Sequence, residues 1–371
     1  MRIGVLVLMA GRVAGGPETY EVELLRALAR LDRRNEYIIY CTGAEAPAAI
    51  GVRQDNVRYH VLQPALRAVS IAATLPARLL RDGVDFLHST FTPPPVSVSR
   101  EVLTLHCLSS FVHPEFYRRS IAWRLNTLLR LGMRRAERVL CVSQTTADDV
   151  HERFGIPRAR LAVAYNGVSP RFQPVPAAEA QRRVREELKL DGPYALFVGK
   201  LEPRKNVVRL LEGFAQFRKD TGSETRLMLA GNRTGMTPAI EQLIARLDLG
   251  DAVVQPGYVP GELLTSMYSA ARMFLLPSIW EGFGIPIVEA MACGTPVLTS
   301  SATCLPEVAG DAAVIVDPHS VPSIAEGIAT LDASADLRAT LRERGFTRAR
   351  MFTWDNSAKA TLDAYHGMTR H

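Results

Sequence analysis

Short apolar runs alternate with longer segments in which apolar positions recur every three or four residues. In the first half, runs at 2–9, 36–41, 57–62, 84–88, 101–106, 138–142 and 161–165 predict strands. Amphipathic stretches at 18–31 and 114–136 predict helices. This is the βαβ rhythm of a parallel sheet buried on both faces. Asn166-Gly167 is a turn signal, and Pro170, Pro174 and Pro176 follow it. The rhythm then resumes with strands at 194–198, 225–230, 252–255, 273–276, 296–299 and 312–316, and the pattern is helical from 320 to 365. The prediction is an α/β chain of two doubly wound domains. The first spans 1–167; a linker and lead-in helix occupy 168–190; the second domain spans 191–350; and a C-terminal helix in 351–371 packs back on the first. Such sheets bind ligands at the carboxyl ends of their strands, and two facing sheets place the site in the cleft between them.

Composition narrows the class. A chain of 371 residues exceeds one ordinary core, and 47 % hydrophobic with 22 % charged residues excludes a disordered chain. No apolar run is long enough for a membrane-spanning helix. The apolar N-terminus is brief and a glycine turn and helix follow, so it reads as a buried first strand rather than a signal peptide. The five cysteines have no Cys-x-x-Cys pair and read as reduced packing residues of a cytosolic protein. The net charge of +6 favours anionic partners without choosing among them. A nucleic-acid partner rests on charge alone and is not predicted.

The chemistry concentrates in 276–297. A strand ends at Leu276, a loop with Gly282 and Gly284 follows, and a helix starts near Ile285 with Pro286 in its first turn. Such a helix start suits a phosphate. Glu289 lies in an apolar run, where a carboxylate needs polar partners, and its two oxygens match a vicinal diol such as a ribose. Glu281, in the loop, is placed to accept from sugar hydroxyls. The plain alternatives are a capping carboxylate and a glutamate on a wet helix face; the glycine and proline framework favours the functional reading. Lys200, Arg204 and Lys205 form a basic turn, where fixed cations would stabilise charge growing on a leaving group. The loop 11–20, with Gly15 and Gly16, offers backbone amides to an anion, although it lacks the Gly-x-Gly-x-x-Gly dinucleotide fingerprint. His106 ends a strand. His88 and His113 read as structural. Neither an Asp-x-Asp pair nor a zinc-type His or Cys spacing is present, so lysine and arginine are expected to do the work of a metal.

Glu281-x7-Glu289, with Gly-Phe-Gly after the first glutamate, resembles the signature of the family-4 retaining glycosyltransferases of the GT-B fold. Similar matches are Cys293-Gly-Thr-Pro-Val297, the run Leu305 to Ala313, Gly199 to Asn206, Val142-Ser-Gln and Tyr165-Asn-Gly-Val168, in family order over nearly the whole chain. The resemblance implies a nucleotide-sugar-binding second domain and an acceptor-side first domain. It assigns the donor sugar to Glu281, the donor ribose to Glu289, and the diphosphate to Lys205 with Arg204 or Lys200, where the family often has arginine. It assigns backbone contacts to Phe283, Gly284 and Ile285, the donor phosphates or the acceptor to the loop that holds Gly15 and Gly16, and the base to the neighbourhood of Tyr258 and Val259. His106 would orient the donor sugar; the family has aspartate after it, and this chain has Cys107. The nucleotide-sugar is a substrate, and no cofactor is implied.

Glu202-Pro-Arg-Lys-Asn206, with His113-Pro-Glu, is similar to bacterial mannosyltransferases of surface polysaccharide assembly. That points first to GDP-mannose, then to UDP-glucose or UDP-N-acetylglucosamine, with a glycan or polyprenyl-linked acceptor. A nucleotide-sugar epimerase on the same fold is the rival reading. Seven arginines between 118 and 138 (Arg118, Arg119, Arg124, Arg130, Arg134, Arg135 and Arg138) interleave with Trp123 and leucines. This pattern fits a cytoplasmic protein peripheral to the anionic inner face of the cell membrane, or else a packed helix with a solvated arginine face.

Overall fold

The structure is a computed structural model that describes residues 1–368. The chain divides into two compact units: Met1–Gly167 together with the C-terminal segment from Thr353, and Val168–Phe352.

The first unit is built on β1 (Arg2–Val7), β2 (Glu36–Cys41), β3 (Val57–Val61), β4 (Phe86–Ser89), β5 (Arg100–Leu105), β6 (Arg138–Cys141) and β7 (Leu161–Val163). The order is β3-β2-β1-β4-β5-β6-β7, with every pairing parallel. Alternation along β1 buries both faces. Ile3, Val5 and Val7 pack with Tyr20, Leu24 and Leu28 of helix Gly16–Leu31. Leu6 and Leu8 pack with Ile38, Tyr40, Leu75 and Leu79.

Helix Trp354–His366 belongs to this first core. Its N-cap Thr353 accepts from Asn356 N–H, Asp355 pairs with Arg30 at 2.6 Å, and Tyr365 lies against Phe86. The buried Tyr365 hydroxyl is 2.6 Å from His88 Nδ1, and His88 Nε2 is 2.8 Å from Thr104 Oγ1. Burial pushes the His88 pKa down to about 3, so it is a neutral structural histidine.

The second unit holds β8 (Tyr194–Val198), β9 (Arg226–Ala230), β10 (Val253–Gly257), β11 (Met273–Leu276), β12 (Val297–Ser300) and β13 (Ala313–Val316). Their order is β10-β9-β8-β11-β12-β13, again parallel. Both sheets reverse direction of growth beside their first strand, between β1 and β4 and between β8 and β11, which are the switch points where such sheets bind ligands. Helix Ala177–Leu188 is part of the second unit, as are helices Val321–Ala333 and Ala335–Ala349.

The segment 114–136 differs from the single helix expected of it. Pro114–Phe116 is a 3₁₀ turn, Tyr117 and Arg118 are extended, and the helix is Arg119–Arg135. Tyr117 Oη is 2.5 Å from Ser109 Oγ, which ties the break to the preceding turn. A hydrophobic period cannot register such a break, because apolar residues continue on both sides of it.

Candidate active site

At the second switch point, β8 leads into 199–206 and β11 into 277–284. The first segment forms the turn Pro203–Lys205 and enters helix Val207–Thr221 through Asn206. The Asn206 amide donates to the carbonyls of Pro277 at 3.0 Å and Pro318 at 2.7 Å. Ile279 N–H donates to the Arg204 carbonyl at 2.8 Å. These bonds lock the two segments together and bring two cations onto one carboxylate.

Lys205 Nζ lies 2.5 Å from Glu281 Oε1, Arg204 Nη1 lies 2.8 Å from Oε2, and Ser278 Oγ donates to Oε1 at 2.9 Å. Lys205 is 6 % exposed and Glu281 7 %, so this is a buried cluster. Burial works against the charged carboxyl, but Lys205 and then Arg204 outweigh it and hold its pKa down at about 2. Glu281 is therefore a carboxylate with both oxygens engaged, and in this arrangement it holds the cations in place. Arg204 also reaches Glu202 at 3.0 Å. Lys200 is half-buried on the same turn.

Gly284 takes φ +89° and caps helix Ile285–Ala292, with Pro286 in the first turn. Only glycine holds that conformation at low cost. Phe283 and Ile285 are buried beside it. Glu289 follows on the same helix. Its Oε2 accepts from the buried Tyr268 hydroxyl at 3.0 Å, and among the described residues Oε1 has no hydrogen-bond donor. Burial raises the Glu289 carboxyl to about 7; the Tyr268 bond, then Arg171 and Lys205, limit the rise. The site thus holds two glutamates of opposite character, one locked to cations and one with an oxygen to offer. Of the two residues expected near a base, Tyr258 is 60 % exposed and Val259 is tucked in.

In the first unit, Gly15 is the N-cap of helix Gly16–Leu31. The amides of the preceding loop are largely spent. Glu21 accepts from Leu8, Met9 and Ala10 N–H at 2.7–2.9 Å, and Glu18 accepts from Gly11 and Ala14 N–H. The expectation that this loop faces its amides to an anion narrows to Gly15 and Gly16. His106 Nε2 donates to the Thr90 carbonyl at 2.8 Å, which leaves the lone pair on Nδ1. Burial pushes its pKa down to about 4, so the ring is neutral near pH 7. The Tyr20 ring meets it edge-on at 4.5 Å. Cys107 Sγ lies 2.7 Å from Ser109 Oγ. Glu18, Glu21 and Tyr268 were missed from the sequence, because a buried carboxylate or phenol inside an ordinary helical period carries no local mark.

Among the described residues, no group of three or more His, Cys, Asp or Glu is arranged to hold a metal ion. All five cysteines are free, and all but Cys107 are buried.

Two family models match the chain in tandem. Residues 14–172 match Glycosyltransferase Family 4 and residues 179–348 match Glycosyl transferases group 1. The chain is 34 % identical to the O-antigen chain mannosyltransferase B of Escherichia coli, over 77 % of this chain and 75 % of that one. The chain belongs to glycosyltransferase family 4. A second relative of this glycosyltransferase, the O-antigen chain mannosyltransferase RfbU of Salmonella typhimurium, is 28 % identical over 64 % of this chain and 62 % of that one. Among solved structures, Anabaena HepE in complex with UDP-glucose superposes with a TM-score of 0.80 at 19 % identity, covering 99 % of each chain. Sucrose-phosphate synthase of Thermosynechococcus elongatus gives 0.79 at 22 %, again over 99 % of each. The fold is GT-B: two Rossmann-like domains with parallel sheets of seven and six strands.

Proposed function

We propose that this glycosyltransferase moves mannose from GDP-mannose to a glycan or polyprenyl-linked acceptor, with retention at the anomeric carbon and without a metal. The observation that carries the reading is the Glu281–Lys205–Arg204 cluster beside Glu289, at the switch point of the second sheet. Glu289 Oε1 accepts from the donor ribose. Lys205, Arg204 and Lys200 face the diphosphate, where negative charge grows as the glycosidic bond breaks. Cations held before the reaction starts need no reorganisation at that moment. The bond from the anomeric carbon to the phosphate oxygen breaks. The acceptor oxygen bonds to the same face, and its proton passes to the leaving phosphate oxygen. His106, neutral, orients the sugar through Nδ1. The mannosyl donor rests on the relatives, which are named as mannosyltransferases.

The test is stabilisation and calorimetric binding against GDP, UDP, ADP, GDP-mannose, UDP-glucose and UDP-N-acetylglucosamine. Selective binding of GDP and GDP-mannose is expected. Selective binding of a uridine pair moves the donor class, and binding of none removes the reading. NMR assignment of the product anomer tests retention.

The protein works in the cytoplasm at the inner face of the membrane. Helix Arg119–Arg135 exposes 72 % of Trp123 and about two-fifths of Ile121 and Leu131. Arg130 lies over Phe111 and Phe154, and Arg135 binds Glu101, so these two serve packing. Arg118, Arg119, Arg124 and Arg134 make no ion pair among the described residues and give the helix its charge. Co-flotation with anionic vesicles at low salt is expected, and its absence sinks the membrane contact.

A further inference from the structure

Glu281 is held by its backbone as well as by its carboxylate, and the groups that hold the backbone come from the turn after β12. Thr303 Oγ1 accepts from Glu281 N–H at 3.2 Å. The neighbouring Cys304 thiol donates to the Glu281 carbonyl at 3.3 Å. At the end of the same strand, Ser300 Oγ donates to the Ser278 carbonyl at 2.6 Å, and Ser278 is the residue whose hydroxyl donates to Glu281 Oε1. Ser278, Ser300 and Cys304 are fully buried. Because β11 and β12 are parallel neighbours, the loops at their carboxyl ends lie side by side. Three side chains of the second loop thus meet three backbone groups of the first.

Thr303 makes its contact from a conformation that disfavours it. Its φ is +53°, in the left-handed region, where its Cβ crowds the following carbonyl oxygen. The loop after β11 meets a similar demand with glycine, at Gly284. A β-branched residue persists in that region only where the surrounding structure fixes it, and such positions gather at functional sites. Threonine brings a hydroxyl that glycine lacks, and here that hydroxyl is on Glu281. Glu281 in turn holds Lys205 and Arg204, so a shift of its backbone moves the carboxylate and both cations with it.

We propose that Thr303 is a positioning residue: its strained backbone is kept because its hydroxyl fixes the Glu281 backbone and, through Glu281, the placement of Lys205 and Arg204 on the donor diphosphate. The inference rests on the transferase reading, which puts the diphosphate at these cations.

The experiment separates the hydroxyl from the backbone strain in the full chain. Thr303→Ser keeps the hydroxyl. Thr303→Val keeps the branch and loses the hydroxyl, and Thr303→Gly loses the hydroxyl and relieves the strain. Calorimetry measures each against whichever of GDP, UDP and ADP binds the unaltered protein most tightly, and against the matching monophosphate. Thermal unfolding and hydrogen exchange at the Glu281 amide run alongside. The ratio of the two affinities reads the cations at the second phosphate. In Thr303→Val and Thr303→Gly that ratio is expected to fall about tenfold, because Glu281 stays charged and takes Lys205 and Arg204 with it. The Glu281 amide is expected to exchange faster in the same two variants. Thr303→Ser is expected to stay within about twofold of the unaltered protein, and Thr303→Gly to melt no lower than Thr303→Val. Binding then follows the hydroxyl and stability follows the backbone. A ratio unchanged in both Thr303→Val and Thr303→Gly overturns the proposal even if the amide exchanges faster, since the bond then holds only the loop. A ratio that falls in step with melting temperature, Thr303→Ser included, also overturns it. If Thr303→Val does not fold, Thr303→Gly, with its backbone relaxed, decides. Failure here with diphosphate binding intact removes only the role of Thr303. An unaltered protein that binds none of the three, or that does not favour diphosphate over monophosphate, removes the donor reading and this inference with it.

Discussion

Glu289 and Glu281 have the same side chain and opposite electrostatics, and each predicts something different. The Glu289 carboxyl titrates at about 7 because burial disfavours its charge. Ribose hydroxyls donate to the carboxylate, so the ionised form is the one that binds. Donor affinity should be flat above that pH and weaken about tenfold per unit below it. Calorimetry across pH reads this directly, and a flat profile through the acid range excludes the role. Tyr268→Phe removes the hydrogen bond that favours the ionised form. It should cost about 1 kcal/mol of donor binding and move that acid limb to higher pH, with turnover at saturating donor little changed. An unmoved limb would mean that Tyr268 only packs. Glu281→Gln leaves Lys205 buried without its countercharge, which should cost about 3 kcal/mol of stability, read as a lower melting temperature. Sugar transfer should fall, while the bare nucleoside diphosphate binds as well or better because both cations are released. Glu289 stood out from its apolar run and Glu281 from its glycine loop, but the split in character was not legible. It depends on Lys205 arriving from a segment seventy-odd residues away in sequence, across a neighbouring strand.

The loops that end the strands carry the site, and their close approach depends on small residues. Gly231 follows β9 and donates to the Gly257 carbonyl at 2.8 Å. A Cβ there would lie 1.9 Å from the Gly199 carbonyl oxygen, which is backbone and cannot yield. Gly231→Ala should therefore destabilise the second unit by about 3 kcal/mol or more and weaken nucleoside diphosphate binding. Gly235→Ala, where nothing lies within 4 Å, is the control and should be nearly neutral. Thermal unfolding of the two variants side by side checks this; equal melting temperatures would show that the loops adjust. The strands and the helix after the Gly-Phe-Gly loop were readable from period and punctuation. The break before Arg119 and the spending of loop amides on Glu18 and Glu21 were not, since both depend on side chains reaching back across a turn.

At the scale of the molecule, the C-terminal helix completes the first core although it follows the second unit in sequence. Trp354, Ala358 and Tyr365 lie among the buried residues of β1, β2 and helix Gly16–Leu31. A chain ending at Phe352 loses these side chains and the His88–Tyr365 bond. It should lose the cooperative transition of the first unit, while Val168–Phe352 keeps its own. Differential scanning calorimetry with limited proteolysis distinguishes the two units, and an unchanged first transition would make the helix dispensable.

The sequence by itself determined two parallel sheets, their strands and the family, because periodicity, turn residues and the Glu281-to-Glu289 segment are local properties of the chain. Tertiary structure alone decided which charges meet. Lys205 and Arg204 reach Glu281 because β8 and β11, distant in sequence, are neighbours in a sheet; Tyr268 reaches Glu289 from the helix before β11 to the helix after it; and the segments after β1 and β3 bring Arg12 and Arg67 to Thr42. Whether a carboxylate is held charged or pushed toward neutrality depends on those neighbours and on burial, and neither is a property of the residue or of its place in the chain.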